Sequence, residues 1–182
     1  MKRYSEVIGL PVFCHATGNK LADVFDIVVL RENMRIFAFT VGNKFISSGN
    51  TAIQFQEVSG IGNDAVMVND KSVVVKLNDD ILSHRIQLIG MNVYTQEGKN
   101  IGTIKDVLFD IQTGNIEGAE ISESLFDDIV TGRNIVTFGS NMTLNDENIF
   151  IAQESYDDML HDGGGLKARF GLGNKQYTKL NN

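Results

Sequence analysis

The sequence predicts an all-β fold: two small β-barrels in tandem, with one or two short helices and a C-terminal tail. Three observations carry this expectation. Four segments recur in the same order at a spacing near 80 residues. The chain holds 18 Gly and a single Pro, and its glycines bound short runs rich in Val, Ile and Phe, which is the pattern of short strands separated by turns. Hydrophobic residues make up 42% and charged residues 21% of the 182 positions, values that exclude a disordered, collagenous or coiled-coil chain.

The repeat sets the organisation. Residues 7–13 read V-I-G-L-P-V-F and residues 88–94 read L-I-G-M-N-V-Y. Each is predicted to be the first strand of its unit. The next pair is G-N-K-L-A-D-V-F-D-I at 18–27 and G-K-N-I-G-T-I-K-D-V at 98–107. Gly18-Asn19 and Gly98-Lys99 fit hairpin turns there, because Gly reaches positive φ without a Cβ clash. In the third pair, 35–41 alternates imperfectly and 115–121 alternates better, as strands do. The fourth pairs 53–68 with 136–151. Many short strands of this kind suggest a closed or rolled sheet, since closure removes exposed edges.

Two helices are expected in the second unit. Leu125, Phe126 and Ile129 lie at helical spacing and Gly132 follows as a stop. Tyr156, Met159 and Leu160 suggest a final helix after Ser155, with Asp157 and Asp158 favourable near its start. The boundaries predicted are 1–82 for unit 1, 83–162 for unit 2 and 163–182 for a basic, Gly-containing tail. A unit of this length buries only about 60–65% of its unfolded surface. That favours two units sharing an apolar interface over beads on a string.

Charge is unevenly shared. The net charge is −7. Unit 1 holds 8 basic and 9 acidic side chains, unit 2 holds 4 and 14, and the tail holds 4 and none. Nucleic acid is not an expected partner, because phosphate contacts need clustered Lys and Arg. The apolar runs are far shorter than the roughly 20 residues of a membrane helix. Cys14 is the one cysteine, so no intrachain disulfide forms, which suits a reducing compartment. Met1-Lys2-Arg3 before Val7–Phe13 has the look of a weak signal peptide, but its twin at 88–94 lies inside the chain. A strand and a cytoplasmic location are therefore expected.

The paired units resemble the PRC-barrel family. The resemblance rests on [VL]-I-G-x-x-V-[FY], then G-x-x-[LI]-[AG]-x-[VI]-x-D-[IV], then the alternating third strand, and it covers about 160 residues. Asp128-Ile129-Val130-Thr131-Gly132-Arg133 also resembles a run in tandem PRC-barrel proteins of Gram-positive bacteria, whereas unit 1 has Phe45-Ile46-Ser47-Ser48-Gly49-Asn50 there. The family includes the photosynthetic reaction centre H subunit and the C-terminal domain of a ribosome-maturation factor. The resemblance implies small β-barrels used as protein-interaction modules and does not imply a catalytic activity; no cofactor is expected.

Chemistry-bearing residues are few. Asp26 and Asp106 hold the same place in both units, inside apolar runs. They are expected to accept backbone hydrogen bonds and lock their hairpins, rather than to form a repeated acid or metal site. No HxH, HExxH or Cys/His spacing occurs around His15, His84 and His161. Asp157, Asp158 and His161 share a helix face, which a charged helix terminus explains without a metal. The glycines at 163–165 and 171–173 match no phosphate-binding pattern and no strong helix pattern follows them. G-x-S-x-G is absent, and Cys14 has no basic partner in the sequence to activate it.

The tail has interaction character. Lys167, Arg169, Phe170 and Tyr177 mix cations with apolar anchors and are the candidate interaction residues. The function expected is a non-enzymatic cytoplasmic adaptor that binds a protein partner through its barrel surfaces, with self-association as a further option. The first rival is a membrane-surface scaffold using the basic tail. The second is a metal-dependent enzyme using Asp26, Asp106 or the His161 cluster.

Overall fold

The computed structural model describes residues 1–42, 50–122, 134–139 and 141–161. The fold is mostly β, arranged as two curled sheets, one for each repeat. In chain order the first repeat supplies β1 (Lys2–Arg3), β2 (Pro11–Cys14), β3 (Lys20–Leu30), β4 (Arg35–Gly42), β5 (Thr51–Gln54), β6 (Val58–Ile61), β7 (Val66–Val68) and β8 (Val74–Lys76). A short helix, α1 (Asp79–Ser83), leads to the second repeat. There follow β9 (Arg85–Ile86), β10 (Asn92–Thr95), β11 (Asn100–Phe109), β12 (Ile116–Ser122), β13 (Asn134–Thr137), β14 (Thr143–Leu144), β15 (Asn148–Ile151) and α2 (Gln153–His161).

The first sheet runs β6-β7-β2-β3-β4-β5-β8 and the second β13-β12-β11-β10-β15-β14. Each has one parallel pair at the same place, β2 with β7 and β10 with β15. The pairings of β4 with β5 and of β12 with β13 match residue for residue. Ala38, Phe39 and Thr40 face Gln54, Ile53 and Ala52, while Gly118, Ala119 and Glu120 face Thr137, Val136 and Ile135.

The first strand of each unit starts later than the sequence suggests. Residues 7–10 form a turn and the strand begins at Pro11; in unit 2 it begins at Asn92. The cause is the glycine of the I-G pair. Gly9 and Gly90 have φ of +84° and +90°, which interrupts extended backbone. Their N–H groups donate to Val24 O at 2.8 Å and Ile104 O at 2.9 Å, so each turn docks on its own long strand. Gly18 and Gly98 sit at positive φ in the hairpin turns, as their sequence predicts. The final helix begins at Gln153, before Ser155, and α1 has no counterpart in the sequence reading. Asn78 caps α1 by accepting from Ile81 N at 2.9 Å. The helix expected at Leu125–Ile129 lies outside the described residues.

The two units share one core. Val12, Val24, Phe39 and Phe55 belong to the same buried cluster as Val93, Ile104, Phe109 and Ile149. They also exchange strands: β1 pairs with β11, and β9 pairs with β3. Where the hairpins meet, Arg35 bridges Asn115. These are equivalent positions of the repeat, 80 residues apart. Ile36 N donates to Gly114 O and Ile116 N donates to Met34 O, both at 2.9 Å. Each residue thus meets the mirror of its own contact, as in a two-fold dimer interface. Met34 and Gly114, again equivalent, both have positive φ, +49° and +77°.

Candidate functional site

The repeated aspartates owe their position to a bulge. On β3, Val24 faces Val41 and Asp26 faces Thr40, which leaves Phe25 as the extra residue. On β11, Ile104 faces Ile121 and Asp106 faces Glu120, which leaves Lys105 extra. A bulge re-aims the side chains beside it. It turns each carboxylate toward the unit boundary and pushes residue 25 or 105 into solvent.

Both carboxylates make a local backbone bond. Asp26 Oδ1 accepts from Ile27 N at 2.8 Å, and Asp106 Oδ1 from Val107 N at 2.9 Å. They also hold neighbouring residues of one segment. Tyr4 Oη donates to Asp26 Oδ1 at 3.0 Å, and Ser5 N donates to Asp106 Oδ1 at 3.1 Å. Ser5 Oγ donates to Asp106 Oδ2. The turn at Tyr4–Glu6 is thereby clasped between the long strands of both units. Lys2 Nζ donates to Asn63 Oδ1 at 2.8 Å, and Arg3 lies 3.7 Å from Glu120. Burial and the Asp26 carboxylate push the Tyr4 phenol up to about 12, because both penalise the phenolate. The space left beside Tyr4 and Asp26 is about 10 Å³, which admits no substrate. The arrangement is a polar fastening, chemically suited to holding two units together.

Sequence reasoning missed Tyr4 and Ser5. The aspartates are visible because they repeat; their partners come from one N-terminal segment and do not.

The other candidates lie apart. Cys14 is buried and its Sγ donates to Asn69 O at 3.6 Å, while His15 lies beyond the end of β2, exposed in the turn that follows. His84 caps α1 with Nδ1 2.8 Å from Asp80 O and stands 3.8 Å from Glu32. The Asp80 carbonyl, then the Glu32 charge, raise its pKa above the ordinary value. Asp157 and Asp158 are exposed on α2, and Asp157 accepts from Gln153 at 2.9 Å. The His161 side chain, and Lys167, Arg169, Phe170 and Tyr177, lie outside the described residues. Among the described residues, no three His, Cys, Asp or Glu side chains are grouped to hold a metal ion. No described helix is long and apolar enough to cross a membrane.

Paired half-barrels whose repeated aspartates are spent on fastening one to the other define a class of small β-modules. The family model for the PRC-barrel domain matches residues 1–75 and again 85–155. The chain belongs to the PRC-barrel family, as a tandem member. PRC-barrel domains are generally small interaction modules and generally non-catalytic. No curated protein matches the chain.

Proposed function

We propose that the protein is a non-enzymatic cytoplasmic adaptor that recognises a protein partner through the outer surface of its barrels. The observation that carries this reading is Phe25. Its ring is 47% exposed, the most exposed large apolar side chain among the described residues. A lone exposed ring is ordinary on a protein surface. This one stands at a bulge, where the backbone pushes it outward, and the second unit places Lys105 at the same point. The two faces are built alike and differ in chemistry: one offers an aromatic anchor and the other a cation. Aromatic side chains are over-represented among the residues that dominate protein interfaces. The fixed two-unit body adds preorganisation, so binding orders little of the adaptor itself.

The test exchanges the two chemistries. Phe25→Lys installs the residue the second unit already tolerates, so the fold should persist. Partners captured from the source cell by the wild-type chain are purified, and their affinity for both forms is measured. A partner that loses about tenfold or more of its affinity with Phe25→Lys supports the reading. Equal affinity for both forms removes Phe25 from it.

A further inference from the structure

Unit 1 carries a small pocket beside the bridge of Arg35 with Asn115. Its volume is about 160 Å³, close to the roughly 150 Å³ of a cavity that takes up one benzene ring. The floor is apolar, and a second bulge helps to build it. Val28 faces Ala38 and Val29 faces Ile36, which leaves Phe37 as the extra residue of β4. Phe37 lines the pocket with Leu30 and Phe55. Phe55 is held from two sides. Its ring centroid is 6.0 Å from that of Phe39, and the ring lies against Gly114 of the other unit. The rim is polar. Asn33, Arg35 and Gln56 are exposed there, and Gln54 is half-buried. Arg35 Nε donates to Thr113 O across the unit boundary, and among the described residues its two terminal nitrogens have no partner. Gln56 Nε2 donates to Gln54 Oε1 at 2.8 Å, which leaves the Gln54 NH2 unspent. Among the described residues, no acid lines the pocket. At the equivalent positions of unit 2 the cation, the ring and the two glutamines become Asn115, Glu117, Thr137 and Gly139. The chemistry is therefore particular to unit 1 and no by-product of the shared fold.

We propose that this pocket binds a carboxylate carried on an apolar group of about benzene's size. With Nε committed to Thr113, Arg35 presents its remaining pair of nitrogens as a planar fork. Such a fork meets a carboxylate in two parallel hydrogen bonds. The bond to Thr113 O already positions the guanidinium, so binding orders less of the side chain. The Gln54 NH2 adds a further donor. One cation with no helix terminus behind it suits a singly charged anion better than a phosphate. The apolar part rests on Phe37 and Phe55, and its burial supplies affinity that an exposed ion pair alone lacks. The net charge of −7 repels anions in general, which leaves selection to the local fork. Two sources carry this chemistry, the C-terminal residue of a polypeptide and a free aromatic acid. Phe25 does not line the pocket, so the site stands whether or not that ring is an anchor.

Titration of the full chain, followed by backbone amide chemical shifts, tests this. The probes are N-acetylphenylalanine, its neutral amide, and hydrocinnamate. At least one of the two acids should bind with a Kd of about 1 mM or tighter, shifting the amides of Phe37, Gln54 and Phe55. The neutral amide should bind about tenfold more weakly, or worse, than N-acetylphenylalanine. Arg35→Gln should weaken the acids about tenfold and leave the neutral amide unchanged. Arg35→Lys keeps the charge and loses the fork, and should fall between. Tighter binding of N-acetylphenylalanine than of hydrocinnamate makes a chain end the source, and the reverse makes it a free acid; either result upholds the carboxylate site. No saturable shift from either acid at about 10 mM overturns the proposal. Equal affinity of N-acetylphenylalanine and its neutral amide for the wild-type chain overturns it too, whether or not the Arg35 variants fold. So does unchanged acid binding in a folded Arg35→Gln.

Discussion

Asp106 accepts from three donors, Ser5 N, Ser5 Oγ and Val107 N, and is 7% exposed. Asp26 accepts from two, Tyr4 Oη and Ile27 N, and is half-buried. A carboxylate that satisfies buried donors is worth more than a neutral acceptor. Asp106→Ala should therefore cost about 2 kcal/mol, and Asp26→Ala about 1 kcal/mol, in urea unfolding. Equal costs would mean that the Ser5 contacts add nothing. Tyr4 gives a sign that can be checked. Its phenol titrates near 10 when unfolded and at about 12 in the fold. Between those values the unfolded chain releases the proton and the folded chain keeps it. Stability from this group is complete below pH 10 and falls as pH rises toward 12. The difference in unfolding free energy between Tyr4→Phe and wild type should narrow over that range. A constant difference from pH 8 to 12 would separate the phenol from the clasp. At this scale the sequence showed half of the site. Two acids inside apolar runs, repeated at one spacing, mark themselves as buried acceptors. Tyr4 and Ser5 carry no such mark, since partnership across about 20 and 100 residues of chain is set by tertiary packing alone.

The strands show which local signals survive folding. β3, β4, β11 and β12 stand where alternation and glycine turns place them. β2 and β10 start late, because apolar composition at Val7-Ile8 and Leu88-Ile89 says burial and only the glycine says turn. The bulges at Phe25 and Lys105 leave no pattern, as one extra residue in a strand resembles an imperfect alternation. The short helix α1 rests on the Asn78 cap and on packing against the outer face of unit 1, and five residues are too few for periodicity to register. Glycines separate by the same reasoning. Gly90 sits at φ +90° with nothing near its absent Cβ. Gly90→Ala should cost about 1–2 kcal/mol, the strain of left-handed backbone. Gly102 has φ +130°, and a Cβ there would lie 2.0 Å from Ser122 O. That contact is with backbone of the neighbouring strand, so β11 and β12 must separate to admit it. Gly102→Ala should cost about 3 kcal/mol or more, read from thermal or urea unfolding. A cost no greater than that of Gly90→Ala would show that the hairpin yields freely.

At the scale of the whole molecule the two units behave as a covalently joined dimer. The bridge of Arg35 with Asn115 lies on the local two-fold, and the flanking bonds of Ile36 and Ile116 repeat each other across it. Strand exchange adds to this, since β1 completes the second sheet and β9 the first. Neither unit can leave without stripping a strand from its partner and opening the common core around Phe39 and Phe109. An isolated unit of about 80 residues would bury only about 60–65% of its unfolded surface. The balance of burial against chain entropy is then close for one unit and favourable for the pair. Unfolding should accordingly be a single cooperative transition. The test is calorimetry, where the van't Hoff and calorimetric enthalpies should agree. Phe109→Ala, in unit 2, offers the sharper check. Removing a ring from the shared core should cost about 3–5 kcal/mol, and it should lower the midpoint seen by probes in unit 1 as much as in unit 2. Two resolved transitions, or a shift confined to unit 2, would show that the core and exchanged strands do not couple the barrels.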